Sequence, residues 1–208
     1  MKRAAIKASL GVHSRRAARA DRKYRAAPVG SRSAKYWKRK REREIRIVAR
    51  RLKQYLAALP LREKAADVLV GWAKAGVVEQ GGNNRGREVE KIIRANGGVP
   101  GEPWCGDTVA AGYLKAGSKS VQRAWASVSA LSRLLDRVGN PKRGHVVIYD
   151  FSHTGLFLRW IDRKAGTFKA VEGNTGTGGA VSDSSGGDGV HVRERHMSQV
   201  VGFRRVVR

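Results

Sequence analysis

Residues 101–117 read GEPWCGDTVAAGYLKAG and contain the only cysteine of the 208-residue chain. Gly101 and Pro103 indicate a loop, and small and apolar residues then recur on one helical face. The spacing predicts a helix that begins close to Cys105 and ends at Gly117. Unpaired N–H groups and the positive dipole end at a helix N-terminus favour a thiolate over a thiol, which suits a nucleophile. A buried structural thiol is the alternative interpretation of this cysteine.

The single cysteine and the hydropathy pattern limit the class of protein. One cysteine allows no disulfide within the chain and no zinc site built on two of its cysteines, and it fits a reducing cytoplasm. No apolar run reaches the ~18 residues that a transmembrane helix needs. The N-terminus is basic, but charged residues interrupt the apolar run that follows it. We therefore expect no secretory signal peptide.

The positive charge is concentrated at the start of the chain. The formal net charge is +26, and residues 1–64 carry 22 Lys and Arg against 4 Asp and Glu. This imbalance predicts a polyanionic partner, either nucleic acid, an anionic membrane surface or an anionic cell-wall polymer. Residues 1–40 contain few large apolar side chains, so we expect them to be disordered or partly helical in isolation.

Residues 41–59 have the pattern of a basic amphipathic helix. Such a helix either packs on a folded domain, which is the usual role of an apolar stripe, or lies on a membrane surface. We expect packing. The predicted organisation is a basic extension over residues 1–60 followed by a folded domain over residues 61–208. The stripe consists of Ile45, Val48, Leu52, Tyr55, Leu56 and Leu59.

The periodicity of the remaining chain changes from helical to strand-like near residue 140. Helices followed by a run of strands predict an α+β fold in which helices pack on an antiparallel sheet. Further helices are predicted over residues 62–75, 87–95 and 127–138, and strands over residues 145–149, 155–161, 167–172, 190–193 and 200–207. Residues 173–189 are predicted to form a Gly-, Ser- and Thr-rich loop.

A thiolate nucleophile requires a base, and histidine is the usual choice. His153 stands at the entrance to a predicted strand, where its ring can project from the sheet edge toward a helix N-terminus. The other four are weaker candidates. They are His13, expected to be solvated in the basic segment, His145, expected to be structural, and His191 and His196, which lie in a late charged stretch.

The base in turn requires an orienting group, and Glu172 and Asn174 are candidates. They are two residues apart at the end of a predicted strand, so in an extended chain they face the same side. A carboxylate or carboxamide there would accept a hydrogen bond from the imidazole. The alternative is an ordinary turn, in which Gly-Asn pairs are common. Together with Cys105 and His153, these residues predict a Cys–His–Glu/Asn site.

Several short motifs occur in a characteristic order. They are residues 76–86 (GVVEQGGNNRG), 104–105 (WC), 115–117 (KAG), 144–149 (GHVVIY), 153–156 (HTGL), 172–175 (EGNT) and 201–203 (VGF). This ordered set resembles the CHAP family, the cysteine, histidine-dependent amidohydrolases/peptidases, over roughly residues 62–208. Two positions depart from the family pattern: His145 stands where Asp is usual, and Thr154 where Val is usual.

The resemblance implies a papain-like fold and a role for each matched residue. Cys105 is then the nucleophile, His153 the general base and acid, Glu172 the residue that orients the histidine, and Asn174 an auxiliary polar residue. No metal or cofactor is implied. Calcium occurs in some relatives, but Asp183 and Asp188 are too few to predict a calcium site.

The resemblance also implies peptidoglycan as the substrate, cut at the amide between muramic acid and L-alanine or at a peptide bond. Such an enzyme, acting as a monomer, would be a bacteriophage endolysin or virion-associated lysin. It would accumulate in the host cytoplasm and reach the cell wall after a holin opens the membrane. Two alternatives stay open: a nucleic-acid-binding protein with an inactive cysteine-protease-like domain, and a cysteine peptidase that cleaves proteins.

Overall fold

The computed structural model describes residues 3–176 and 187–207. The chain divides into two compact units, residues 1–59 and 60–208. Pro60 belongs to the second unit because its carbonyl accepts hydrogen bonds from the N–H groups of Glu63 and Lys64 at the start of the next helix. None of the described helices is both long enough and apolar enough to cross a bilayer.

The first unit is a hairpin of two helices, α1 (Arg3–Ala26) and α2 (Arg32–Ala57). Ser31 caps α2 by accepting a hydrogen bond from the Ala34 N–H at 3.0 Å, so the helix begins at residue 32 rather than at the predicted residue 41. Residues 3–40 are therefore mostly helical here, and the disorder considered for them from composition is not observed.

Polar pairs hold the two helices of the hairpin together. His13 Nδ1 lies 2.7 Å from Glu44 Oε2, and Arg41 Nη1 donates to Asp21 Oδ1 at 3.0 Å. The Arg41 guanidinium also lies over the Tyr24 ring, 4.9 Å from its centroid. The expectation that His13 is solvated is wrong, because a carboxylate on α2 covers its ring.

The second unit begins with four helices that carry one face of the core. They are α3 (Leu61–Lys74), α4 (Arg87–Ala95), α5 (Cys105–Lys115) and α6 (Val128–Leu134). The helix predicted to run to Val138 is wrong at its end: α6 stops at Leu134, and the next residues pair with a strand from the end of the chain. Sequence periodicity could not foresee that pairing partner, which lies far along the chain.

The sheet has six antiparallel strands in the order β1-β6-β2-β3-β4-β5. This confirms the predicted α+β class with helices packed on an antiparallel sheet. Helices α3 and α5 cover one face, and an aromatic cluster that includes Phe157, Phe168 and Phe203 covers the other. The strands are β1 (Asp136–Val138), β2 (Val146–Tyr149), β3 (Thr154–Asp162), β4 (Thr167–Thr175), β5 (Gly189–His196) and β6 (Val200–Arg205).

Candidate active site

Cys105 is the first residue of α5, as the sequence predicts, and it is buried. The preceding residue, Trp104, is fully buried and donates from Nε1 to Glu79 Oε1 at 2.9 Å. The other Glu79 oxygen accepts the Asn84 N–H at 2.7 Å, and Asn84 Nδ2 donates to the Gly101 carbonyl at 3.2 Å. The loop before α4 therefore anchors the segment that delivers Cys105 to the helix N-terminus.

Gly106 allows the first turn of α5 to pack against neighbouring backbone. A Cβ at this position would lie 2.4 Å from the Trp125 carbonyl oxygen and 2.5 Å from that of Ala126. Both belong to a short 3-10 helix, Arg123–Ala126. Only a residue without a side chain fits here. The close contact therefore sets the position of the first turn of α5, which carries Cys105.

His153 ends the turn between β2 and β3 and is buried, with 1% of its surface exposed. Its carbonyl accepts the Tyr149 N–H at 3.0 Å, and the turn passes through Ser152 in a left-handed conformation with φ of 54°. The ring nitrogen Nε2 donates to Glu172 Oε2 at 3.1 Å. Nδ1 has no hydrogen-bond partner of good geometry among the described residues, sulfur included, so the interaction of the ring with Cys105 is looser than its bond to Glu172.

The two partners of His153 control its charge. Burial alone lowers the pKa of His153, but the hydrogen bonds with Cys105 and Glu172 and the negative charge of these groups outweigh burial and raise the pKa to about 9. The ring is therefore an imidazolium at neutral pH. An imidazolium beside sulfur stabilises a thiolate, so the pair has the charge distribution of an activated nucleophile.

Glu172, on β4, is fully buried and accepts hydrogen bonds from three side chains. The Tyr149 hydroxyl donates to Oε1 at 2.7 Å, and Arg195 donates from Nε to Oε1 at 3.0 Å and from Nη2 to Oε2 at 2.6 Å, in addition to the bond from His153. Burial raises the pKa of Glu172, but the bonds from Arg195 and His153 prevail and lower it to about 2. Glu172 is thus a fixed anion behind the imidazolium.

Aromatic rings enclose the same site. The rings of Tyr149 and Phe151 stack with the imidazole of His153 at centroid distances of 5.8 and 5.7 Å. The guanidinium of Arg195 lies over both aromatic rings, 5.3 Å from the Tyr149 centroid and 5.4 Å from the Phe151 centroid. These contacts fix the plane of the imidazole and exclude water from its rear side.

Asn174 is buried on β4, two residues beyond Glu172. Its φ is 53°, and the pairing of β4 with β5 shifts register between Glu172 and Thr175. The extended-chain argument that placed both side chains on one side of the strand therefore does not apply at Asn174. The hydrogen bond that the His153 ring donates is accepted by Glu172.

The other histidines of the second unit make separate contacts. His145 Nδ1 accepts the Lys142 N–H at 3.2 Å, and burial together with the nearby positive charges lowers the pKa of His145 to about 4. His191 Nε2 lies 2.8 Å from Asp188 Oδ1. His196 caps the short 3-10 helix Met197–Gln199.

Sequence reasoning missed two residues of the site, Tyr149 and Arg195. From sequence alone, Tyr149 is only the end of a predicted strand, and Arg195 is not singled out, since it lies in the late charged stretch with His191 and His196. A usable signal existed in β5, where Arg193 and Arg195 alternate with exposed residues in the manner of a face turned inward. The buried partner of Arg195, Glu172, could not be identified without the register of β4 against β5.

A groove of about 340 Å³ opens beside the turn that carries His153. Its lining includes the hydroxyl-bearing residues Tyr149, Ser152, Ser129 and Ser132, but neither Cys105 nor His153. Within residues 3–176 and 187–207, no cluster of three or more His, Cys, Asp or Glu side chains could hold a metal ion. Asp183, considered for calcium, and most of the predicted loop 173–189 lie outside the described residues.

The site unites a thiol at a helix N-terminus, an imidazolium and a fixed carboxylate. This is the set that nucleophilic acyl transfer requires. In comparisons with known proteins, no protein-family model, no curated protein and no solved structure matches the chain. The function must therefore be inferred from the side chains themselves.

Proposed function

We propose that the second unit is a cysteine amidohydrolase of the CHAP type, with a papain-like fold, that hydrolyses amide bonds of peptidoglycan. The observation that carries the proposal is the chain of contacts from Cys105 through His153 to Glu172. The ordered motifs that resemble the CHAP family support the same assignment, since each of these three residues occupies the position that the resemblance gives it.

The way the fold supplies these residues supports the proposal. The nucleophile comes from the start of a helix, whereas the base and its orienting carboxylate come from adjacent antiparallel strands, at the start of β3 and near the end of β4. Helix α5 packs against both strands. A site made in this way holds the sulfur and the imidazole on rigid elements, which preorganised catalysis requires.

In the first proposed step, the Cys105 thiolate attacks the carbonyl carbon of a scissile amide. The backbone N–H of Cys105 at the helix start donates to the developing oxyanion, an interaction worth about 3 kcal/mol where one such donor has been removed. The His153 imidazolium gives its Nδ1 proton to the leaving nitrogen as the C–N bond breaks. The products of this step are a free amine and a thioester on Cys105.

In the second step, His153 is neutral and takes a proton from a water molecule at Nδ1. The resulting hydroxide attacks the thioester, the C–S bond breaks, and a carboxylic acid leaves with the thiolate–imidazolium pair restored. Glu172 stays ionised throughout, because its donors hold its pKa at about 2. Its role is to keep Nε2 protonated and the ring in place.

Peptidoglycan offers two classes of amide to such a site, the bond between muramic acid and L-alanine and the peptide bonds of the stem or cross-bridge. The proposed setting is a bacteriophage endolysin or virion-associated lysin, present in the host cytoplasm before lysis and then acting on the wall. The basic first unit would keep the enzyme on an anionic surface near its substrate.

The test is mass spectrometry of purified peptidoglycan after incubation with the full chain. We expect new amine and carboxyl termini with the wild type, and nearly complete loss of product with Cys105→Ala and with His153→Ala. His145→Ala is the matched histidine control and should retain much of the activity, because among the described residues the His145 side chain bonds only the Lys142 N–H. Circular dichroism would confirm that all three variants fold.

Two outcomes would replace the proposal. Cleavage of casein with intact peptidoglycan would indicate a peptidase of proteins. Steeply salt-dependent DNA binding, with no hydrolysis of walls or proteins, would indicate a nucleic-acid-binding protein whose second unit is inactive.

A further inference from the structure

Helix α2 leaves a row of large apolar side chains open to solvent. The exposed fractions of Ile45, Leu52 and Leu56 are 51%, 42% and 48%. Their spacing of seven and four residues places them on one side of the helix. Val48 and Tyr55, from the same predicted stripe, are instead partly buried. An exposed row of this kind indicates a surface that binds something apolar.

A row of arginines lies on another side of α2, about 100° or more around the helix from the apolar row. Arg43, Arg46 and Arg50 line one shallow concavity on α2 together with Ile47. Across the described residues, none of these three arginines has a carboxylate within ion-pair distance. Residues 1–59 carry 20 Lys and Arg against 3 Asp and Glu.

The acidic side chains of the hairpin do not offset this row. Of the three, Asp21 pairs with Arg25 and Arg41, and Glu44 pairs with His13, all inside the hairpin. The positive charge on α2 is therefore available to an anionic partner.

The combination of features selects one kind of partner. Nucleic acids and anionic wall polymers offer charge but no apolar phase for isoleucine and leucine. A second copy of the hairpin offers apolar side chains but would bring two strongly cationic surfaces together. An anionic bilayer offers both, headgroup phosphates for arginine and the acyl boundary for the apolar row.

We propose that α2 lies in the interface of an anionic lipid bilayer, with Ile45, Leu52 and Leu56 in the acyl boundary. Arg43, Arg46 and Arg50 then lie on the polar side of the helix, where the negative surface potential of the bilayer attracts them. The helix rests on the membrane and does not cross it. This binding is independent of catalysis, so its test can fail without affecting the proposed hydrolase, and the reverse also holds.

The first test is co-sedimentation of the full chain with vesicles of phosphatidylcholine, with and without phosphatidylglycerol. We expect binding to the anionic vesicles only. Combining Ile45→Gln, Leu52→Gln and Leu56→Gln should weaken that binding at least about tenfold, since the apolar area buried in the bilayer is lost. Binding to heparin should stay unchanged in this variant, because its charge is unchanged.

The matched control combines Val99→Gln and Leu134→Gln, two apolar positions in the second unit that are at least as exposed as the three on α2. It should bind vesicles as the wild type does. A complementary variant, which removes the charge and keeps the apolar row, combines Arg43→Gln, Arg46→Gln and Arg50→Gln. It should lose the preference for phosphatidylglycerol. As a second measurement, Leu52→Cys in a Cys105→Ser background, labelled with an environment-sensitive fluorophore, should shift to the blue only with anionic vesicles.

Three results would overturn the proposal. The first is unchanged vesicle binding by the variant with three glutamines. The second is that the wild-type protein binds heparin but does not bind vesicles, which would indicate a nucleic acid or wall polymer as the partner. The third is a dimer in analytical ultracentrifugation that the three glutamines dissociate, which would make a second copy the occupant of this face.

Discussion

Arg195 forms a bidentate ion pair with Glu172, in which Nε donates to Oε1 at 3.0 Å and Nη2 donates to Oε2 at 2.6 Å. The side chains are 2% and 0% exposed, so neither charge has water as an alternative partner. Removal of one member of such a pair leaves an uncompensated buried charge. Arg195 therefore keeps Glu172 ionised, and through Glu172 it orients His153. It is a positioning residue that lies behind the reacting atoms.

The first prediction concerns Arg195→Met. Without the guanidinium, the pKa of Glu172 rises, because burial is then opposed only by His153 and Tyr149. The stability that ionised Glu172 provides is complete above its usual pKa of 4.5 and is lost as pH falls toward 2. In the variant the pKa of folded Glu172 is higher, so ionised Glu172 contributes less stability at neutral pH and the folded enzyme is protonated at this carboxylate at a higher pH than the wild type. We expect the acidic limb of the pH–rate profile to move upward, activity to fall at least about tenfold, and unfolding free energy to fall by about 3–5 kcal/mol.

Two further variants make the result specific. Arg159→Met removes an exposed arginine from β3, the strand on the other side of β4, and should leave the pH profile unchanged. Arg195→Lys keeps the charge but loses the planar fork, so its activity should lie between those of the wild type and Arg195→Met. An Arg195→Met enzyme with the wild-type acidic limb would contradict the role given to Arg195.

The second prediction concerns Tyr149→Phe. The change removes the hydroxyl donor to Glu172 Oε1 and keeps the ring that stacks on His153. Because the lost bond is to a buried charged acceptor, unfolding free energy should fall by about 1.5–3 kcal/mol in urea titrations. Activity should fall only severalfold, since the bond from His153 to Glu172 remains. A loss as large as that of His153→Ala would mean that the hydroxyl has a direct part in the reaction.

The parts of this protein that could be predicted from sequence depend on local patterns. The spacing of small and apolar residues after Pro103 predicts the start of α5 within one turn, and the change from helical to alternating periodicity predicts the antiparallel sheet. These signals reside within about ten residues of chain, where propensity and amphipathicity act directly.

The parts that could not be predicted depend on long-range pairing. Glu172 and Arg195 are 23 residues apart and meet only because β4 pairs with β5 in one particular register. His13 was expected to be solvated because it lies in a basic segment, and Arg195 was not singled out at all. Each is buried or covered because it pairs with a carboxylate from another element. That carboxylate lies too far along the chain for a local sequence pattern to reveal it.

The third prediction concerns the titration of His153. Its pKa of about 9 depends partly on Cys105, so Cys105→Ala should lower the pKa by removing a hydrogen bond and a negative charge. Because its pKa is raised in the folded state, protonated His153 stabilises the fold. This contribution is complete below the usual pKa of 6.5 and is lost as pH rises through about 9. The wild type should therefore lose unfolding free energy over this range, and Cys105→Ala should lose less. NMR titration of the imidazole and urea unfolding at several pH values measure the two effects.

His145 is the internal control for that titration. Burial and neighbouring cations hold its pKa at about 4, and neither involves Cys105. Its titration should be the same in both proteins. Equal titration of His153 in the wild type and in Cys105→Ala would contradict a contact between the sulfur and the imidazole.

The fourth prediction compares two helical glycines. A Cβ at Gly106 meets backbone carbonyl oxygens at 2.4 and 2.5 Å, whereas a Cβ at Gly71, on the exposed side of α3, has nothing within 4 Å. Gly71→Ala should raise unfolding free energy by about 0.5–1 kcal/mol, the usual gain from alanine in a helix. Gly106→Ala should lower it by about 1–3 kcal/mol, because backbone cannot yield as a flexible side chain can.

Activity separates the two glycines further. A displacement of about 1 Å can cost a hundredfold in rate, and Gly106 adjoins the nucleophile. Gly106→Ala should therefore lose activity far beyond its loss of stability when assayed well below its unfolding temperature, while Gly71→Ala should keep full activity. Equal activity of the two variants would show that Cys105 does not depend on the close contact between α5 and the Arg123–Ala126 turn, and that the sulfur is positioned by the loop around Glu79 alone.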